Sequence, residues 1–212
     1  FFVVKWDWRV PVSLLDGVAD GTLTTTSNIT DSTFESGLDY LGYYLKNAGA
    51  TWQTLTGSQL KLVNMVTHST GGLVSRSYIQ STAYPVNPAA PTSTELPAVN
   101  NLVQIGVPNE GVSTTFAMLE NDFSLKPATR ALARQLDVTY DLISAKDSSG
   151  NYVHGLKNPD GSTTYKTTFD SQSNPQAAFI AYYVGAFGAL LPAYNSAIST
   201  DGGATFAALT TA

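Results

Sequence analysis

The chain has 212 residues and is 43% apolar, enough for a domain-sized hydrophobic core. Its 11 basic residues against 16 acidic ones leave a net charge of −5. No basic cluster is present to neutralise phosphates, so no nucleic-acid partner and no anionic membrane surface is expected. With no cysteine in the chain, disulfides, thiolate metal sites and cysteine nucleophiles are excluded.

Scarce charge and abundant Ser, Thr and Asn point to a secreted or cell-surface protein. Asn28-Ile29-Thr30 adds a glycosylation sequon. The chain opens on Phe1, with no basic segment, apolar run and small-residue cleavage site of a secretory signal, so a piece of a longer chain is expected.

In chain order, "FFVVKWDWR" (1–9) is aromatic and β-branched before it turns charged, which predicts a strand. Residues 10–31 read as a long loop rich in Gly, Thr and Asp. Ser32 and Glu35 fit a capping box and open a helix with Phe34, Leu38, Leu41 and Leu45 on its apolar face. Gly49 is its expected stop. A strand over 60–66 and a helix over 72–82 follow, the helix burying Leu73, Val74, Tyr78 and Ile79. Four prolines (Pro85, Pro88, Pro91 and Pro97) mark 84–98 as a surface loop, and "NNLVQIGVP" (100–108) is a third apolar strand. Strands alternating with helices predict an α/β class. The strands near 1–6, 60–67 and 101–106 should be parallel neighbours, covered on both faces.

The second half reads differently. Residues 127–136 form a short helix, and 147–167 a β-hairpin turning at Asn158-Pro159-Asp160-Gly161. Ser173 and Gln176, with Pro175 between them, cap a nearly all-apolar helix over 176–190 that contains Phe179, Tyr182, Tyr183 and Phe187. At about 15 residues it is short of the ~20 needed to span a bilayer, so no transmembrane segment is expected.

Between strand and helix lies "VTHSTGGLVSR" (66–76). It resembles the nucleophile elbow of the α/β-hydrolase lipases, whose usual form is G-H-S-x-G-G. "WDWR" (6–9) resembles the Y-D-W-R signature of the lecithin:cholesterol acyltransferase-like and related bacterial lipases, and "LVQIGVPNEGVS" (102–113) resembles their I-G-T-P-x-x-G-S segment. The three motifs stand in order over 1–113. The resemblance implies that 1–113 is the central part of an α/β-hydrolase core, a parallel sheet with flanking helices, and that 114–212 is a mixed lid, cap or insertion. Thr67 departs from the glycine usual two places before the serine, while Gly71 keeps the small residue two places after it.

By the same resemblance Ser69 is the nucleophile, held on a strained turn. The backbone N–H of Thr70 is one oxyanion-hole donor. No metal or organic cofactor is implied. His68 is expected to pack or bond locally, and Asp7 and Arg9 to tie the strand end to neighbouring loops. The family order is nucleophile, acid, base, and only His154 lies downstream of Ser69. Asp122, Asp137, Asp141, Asp147 and Glu110 are the candidate acids. No further apolar strand separates 108 from 154, so His154 is expected to be a hairpin histidine of the lid.

Two function classes follow. One is a secreted serine hydrolase of the lipase or esterase type that takes an ester or lipid substrate, its missing parts supplied by another chain or segment completing the fold. Acyl transfer would differ only in what resolves the acyl-enzyme. The other is an inactive, hydrolase-derived structural or binding protein of a surface assembly.

Overall fold

The computed structural model describes residues 1–13, 36–93, 95–119, 121–123, 127–158 and 161–191. The chain divides into two compact units, Phe1–Asn109 and Glu110–Ala212. Within the described residues no helix is long and apolar enough to cross a membrane.

The first unit is mixed α/β. Its longest helix, α1 (Gly37–Thr56), begins at a capping box made by Ser36 and Asp39. The Ser36 hydroxyl accepts the Asp39 N–H, and the Asp39 carboxylate accepts the Ser36 N–H at 2.9 Å. The N–H groups of Gly37 and Leu38, between them, are taken by the carbonyls of Pro11 and Val12, at 2.8 and 3.0 Å. The first orphan donors of the helix are thereby satisfied in a buried setting. The cap thus lies beyond Ser32 and Glu35, which with Phe34 are outside the described residues. Asp took the role expected of Glu.

Leu38, Leu41, Leu45 and Ala48 form the buried stripe of α1. Gly49 does not stop the helix. It continues to Gly57, which adopts φ 69° and returns its N–H to the Gln53 carbonyl.

Strands β1 (Leu62–His68) and β2 (Ala98–Ile105) pair in parallel, with Val66 opposite Val103 and His68 opposite Ile105. The crossover contains helix α2 (Thr70–Gln80). Met65, Val63, Val99 and Leu102 meet Leu38, Leu41, Leu45, Val74 and Tyr78 in one core. The connection that follows α2 is largely a surface loop, exposed over 86–90 and pinned at a few buried points. Pro85, Pro91 and Pro97 are buried, and the Tyr78 hydroxyl donates to the Pro97 carbonyl at 2.8 Å.

Two expectations fail here. Residues 1–7 join no sheet among the described residues, and Phe1, Phe2 and Val3 are exposed. Aromatic and β-branched composition fits a pleated surface, but a strand also needs a partner ladder. Nor is the parallel sheet covered on both faces within this unit. Leu62, Val66, Val103 and Ile105 stand in solvent on the face opposite the helices, with Val66 71% exposed.

The second unit has its own aromatic core of Phe123, Leu136, Ile143, Phe169, Phe179, Ile180, Val184 and Phe187. Helix α3 spans Ser113–Leu119, and α4 runs over Pro127–Ile143, longer than expected. The hairpin is present but short: β3 (Gly155–Lys157) and β4 (Thr163–Tyr165) are antiparallel, with the Gly161 N–H donating to Asn158 O. After α5 (Thr167–Asp170), helix α6 (Pro175–Tyr183) is capped by Asn174, whose side chain accepts the Ala177 N–H, and not by the Ser173–Gln176 pair. The expected single helix breaks after Tyr183 and resumes as α7 (Ala186–Ala189). Phe179 and Phe187 are enclosed in this core.

Candidate active site

Ser69 is the one residue between the end of β1 and the start of α2. Its backbone has φ 53° and ψ −134°. Positive φ in a residue with a side chain costs on the order of 1–3 kcal/mol and persists only where the surroundings enforce it. Asn121 is the other non-glycine residue with positive φ among the described residues.

The turn is held from both sides. Ser69 N–H donates to the Ile105 carbonyl at 3.1 Å, carrying the β ladder one residue past β1. Ser69 O accepts the Gly72 N–H at 3.0 Å, closing the first turn of α2.

The hydroxyl is the informative atom. Serine at a helix N-cap ordinarily accepts an N–H of the first turn. Ser69 makes no such bond. Its side chain is partly exposed, and no described residue of its own unit hydrogen-bonds it. Thr70 is the first residue of α2, so its N–H belongs to the donors that a helix leaves without an internal partner, at the positive end of the helix dipole.

Neighbouring positions explain how the chain tolerates this turn. Thr67, at the usual glycine position, directs its hydroxyl to the Val103 carbonyl across the sheet at 3.2 Å. Gly71 is not where strand and helix press together, since a Cβ built there meets nothing within 4 Å. The close approach is at Gly72, against the segment just past β2: a Cβ there would lie 2.2 Å from Val107 Cγ2.

Three polar residues that sequence reasoning missed link the same region. Arg76 donates to Asn109 Oδ1 at 2.7 Å, Asn109 donates to Gln104 Oε1 at 3.3 Å, and Gln104 donates to the Gly72 carbonyl at 3.4 Å. Two of them, Gln104 and Asn109, lie in the "LVQIGVPNEGVS" segment, and nothing in their spacing marked them.

The remaining candidates are placed as follows. The His68 side chain is exposed and forms no hydrogen bond among the described residues of its unit, so it neither packs nor bonds locally as expected. Asp7 accepts from Arg9 N at 3.0 Å and from its guanidinium at 2.6 Å, a local clamp at the turn that precedes α1. The Arg9 side chain beside Asp7 holds its carboxyl below the ordinary range. His154 belongs to the second unit, exposed just before β3, and no described carboxylate of that unit accepts from its ring.

Of the candidate acids, Asp147 is committed to a turn. It accepts the N–H groups of Asn151 and Ser149 at 2.9 and 2.8 Å, which hold its carboxyl below the ordinary range. Asp137 and Asp141 are exposed on α4, and Asp122 and Glu110 are exposed as well.

A groove of about 460 Å³ lies elsewhere in the first unit, lined by residues such as Leu45, Lys46, Gln53, Gln59 and Leu96. It contains no residue of the serine turn, and the Glu95 carboxylate at its edge is taken by the N–H groups of Val86 and Thr92. Chemistry therefore points to the serine turn and not to this groove. Compared with protein-family models, curated proteins and solved structures, the chain gives no match.

Proposed function

We propose that this chain carries the nucleophile-bearing part of a serine hydrolase of the lipase or esterase type, secreted or at the cell surface, built on a partial α/β-hydrolase fold. The observation that carries this reading is Ser69: a positive-φ serine between a parallel strand and a helix, its hydroxyl not used to cap that helix. Such a residue gains nothing for stability, and strain of this kind concentrates at functional sites.

In this function Ser69 Oγ attacks the carbonyl carbon of an ester. Its proton passes to a base and then to the departing alcohol oxygen. The Thr70 N–H donates to the oxygen that becomes negative. Water, or an acceptor alcohol in acyl transfer, then cleaves the acyl-serine. None of the described residues of the first unit hydrogen-bonds Ser69 Oγ as a base, so in this reading the base and acid come from elsewhere. The bare, apolar sheet face of Leu62, Val66, Val103 and Ile105 supports the same view, because parallel sheets are ordinarily covered on both faces.

One observation favours the second reading, an inactive hydrolase-derived structural or binding protein: no base hydrogen-bonds Ser69 Oγ among the described residues of its unit. The two readings separate on a fluorophosphonate, which reacts with an activated serine by forming an O–P bond and expelling fluoride. Positioned donors alone retain part of the catalysis when a triad member is absent. Slow labelling confined to Ser69 and abolished by Ser69→Ala is expected. Labelling scattered over exposed serines, or unchanged in Ser69→Ala, would leave the structural reading standing.

A further inference from the structure

We infer that Gln104, Asn109 and Arg76 are positioning residues for Ser69, acting through the first turn of α2; the inference rests on the nucleophile reading above. Relaxing Ser69 to an ordinary negative φ would rotate the start of α2 against β2. Two contacts oppose that rotation directly. Gly72 sits against Val107 with no room for even one more carbon, and the Gly72 carbonyl is tied to β2 through Gln104 Nε2.

The second contact is itself braced. Asn109 donates to Gln104 Oε1, which fixes the amide so that its NH₂ faces Gly72. Arg76, one turn further along α2, donates to Asn109 Oδ1. The ring therefore leaves α2 at Gly72 and returns to it at Arg76, and the 104–109 segment becomes a wall against which the helix start is held. None of the three side chains is fully buried. Asn109 is exposed, and Gln104 and Arg76 are half-buried. None of the three touches the Ser69 hydroxyl.

The experiment compares the full chain with Asn109→Ala, Arg76→Ala and Asn109→Asp, reading the fluorophosphonate labelling rate of Ser69 beside amide hydrogen exchange at Ser69 and Gly72. Asn109→Ala and Arg76→Ala are expected to slow labelling on the order of fivefold, the worth of one ordinary hydrogen bond. Both should speed exchange of those two amides while the thermal transition stays in place. Asn109→Asp still accepts from Arg76 but can no longer donate to Gln104 Oε1, so it should slow labelling as Asn109→Ala does. Labelling at the wild-type rate in both alanine variants overturns the inference, whatever the amides do. If the wild-type chain is not labelled at Ser69, it is the nucleophile reading that fails. The amides then decide the positioning claim alone: faster exchange at Ser69 and Gly72 upholds it, and unchanged exchange ends it.

Discussion

Gly72 and Val107 approach so closely that a methyl group on Gly72 would lie 2.2 Å from Val107 Cγ2 and 2.6 Å from its Cγ1. Val107 is only half-buried and its backbone is fixed by the turn in which Asn109 N–H meets Val107 O at 2.9 Å, so helix and wall would have to part. Gly72→Ala is expected to destabilise the first unit by about 1–3 kcal/mol, as overpacked sites do. Gly71→Ala, one position earlier with nothing in reach, should be neutral or gain a few tenths of a kcal/mol. Urea unfolding of the two variants checks this. Equal losses would mean that the close approach is not at Gly72.

Gly49 inside α1 and Gly57 at its C-cap make a second contrast. Gly57 holds φ 69°, which costs an alanine about 1 kcal/mol, so Gly57→Ala should lower stability by roughly that amount. Gly49 lies inside the helix with open space around it, and Gly49→Ala should raise stability by about 0.5–1 kcal/mol. Thermal melts of both variants read the sign directly. A loss at Gly49 would restore it as the end of the helix.

That contrast also shows what the sequence could and could not reveal. The apolar stripe Leu38, Leu41 and Leu45 was legible because helical spacing survives any shift of the ends. The ends were not. Ser32–Glu35 and Ser36–Asp39 are equally good capping patterns on paper, and the carbonyls of Pro11 and Val12, far back in the chain, favour the second. The strand at 1–9 was misread for a related reason. Propensity is local, while pairing needs a neighbour that the sequence does not announce. At the candidate site, Ser69 was legible from its strand–serine–helix setting. Gln104, Asn109 and Arg76 were not, because their relation exists only once β2 and α2 lie side by side.

Asp7 gives a pH dependence. Its carboxyl is held low by Arg9, so its folded value lies below its unfolded value of about 3.9. The ion pair therefore contributes fully above that value, and its contribution is lost as pH falls through the folded one. Because the pair is partly exposed, salt should weaken it too. Trp6 reports the change, since its ring packs against Gly37 beside the same turn. Its emission is expected to shift to the red in acid below about pH 4. Asp7→Asn should show part of that shift at neutral pH and lose the acid step. An acid step that persists unchanged in Asp7→Asn would assign it to another carboxylate.

The last prediction concerns His154 and separates a nucleophile from a working enzyme. A general base must come within about 3 Å of the serine oxygen or reach it through one water, and it works best when a carboxylate orients its ring. His154 is exposed and has no such carboxylate among the described residues of its unit. Of the acids before it, Asp147 already serves the Ser149 and Asn151 amides. A histidine without an orienting acid is a poor base, and loss of one triad member typically costs several powers of ten in rate. Residues 1–212 alone are therefore expected to turn over a short-chain ester no faster than their Ser69→Ala variant, even while Ser69 is slowly and selectively phosphonylated. Turnover that Ser69→Ala abolishes and His154→Ala reduces by orders of magnitude would overturn this, and would make His154 the base of a site complete in this chain. Turnover that Ser69→Ala abolishes but His154→Ala spares would place the base elsewhere within the 212 residues, with His68 then the one other histidine to test.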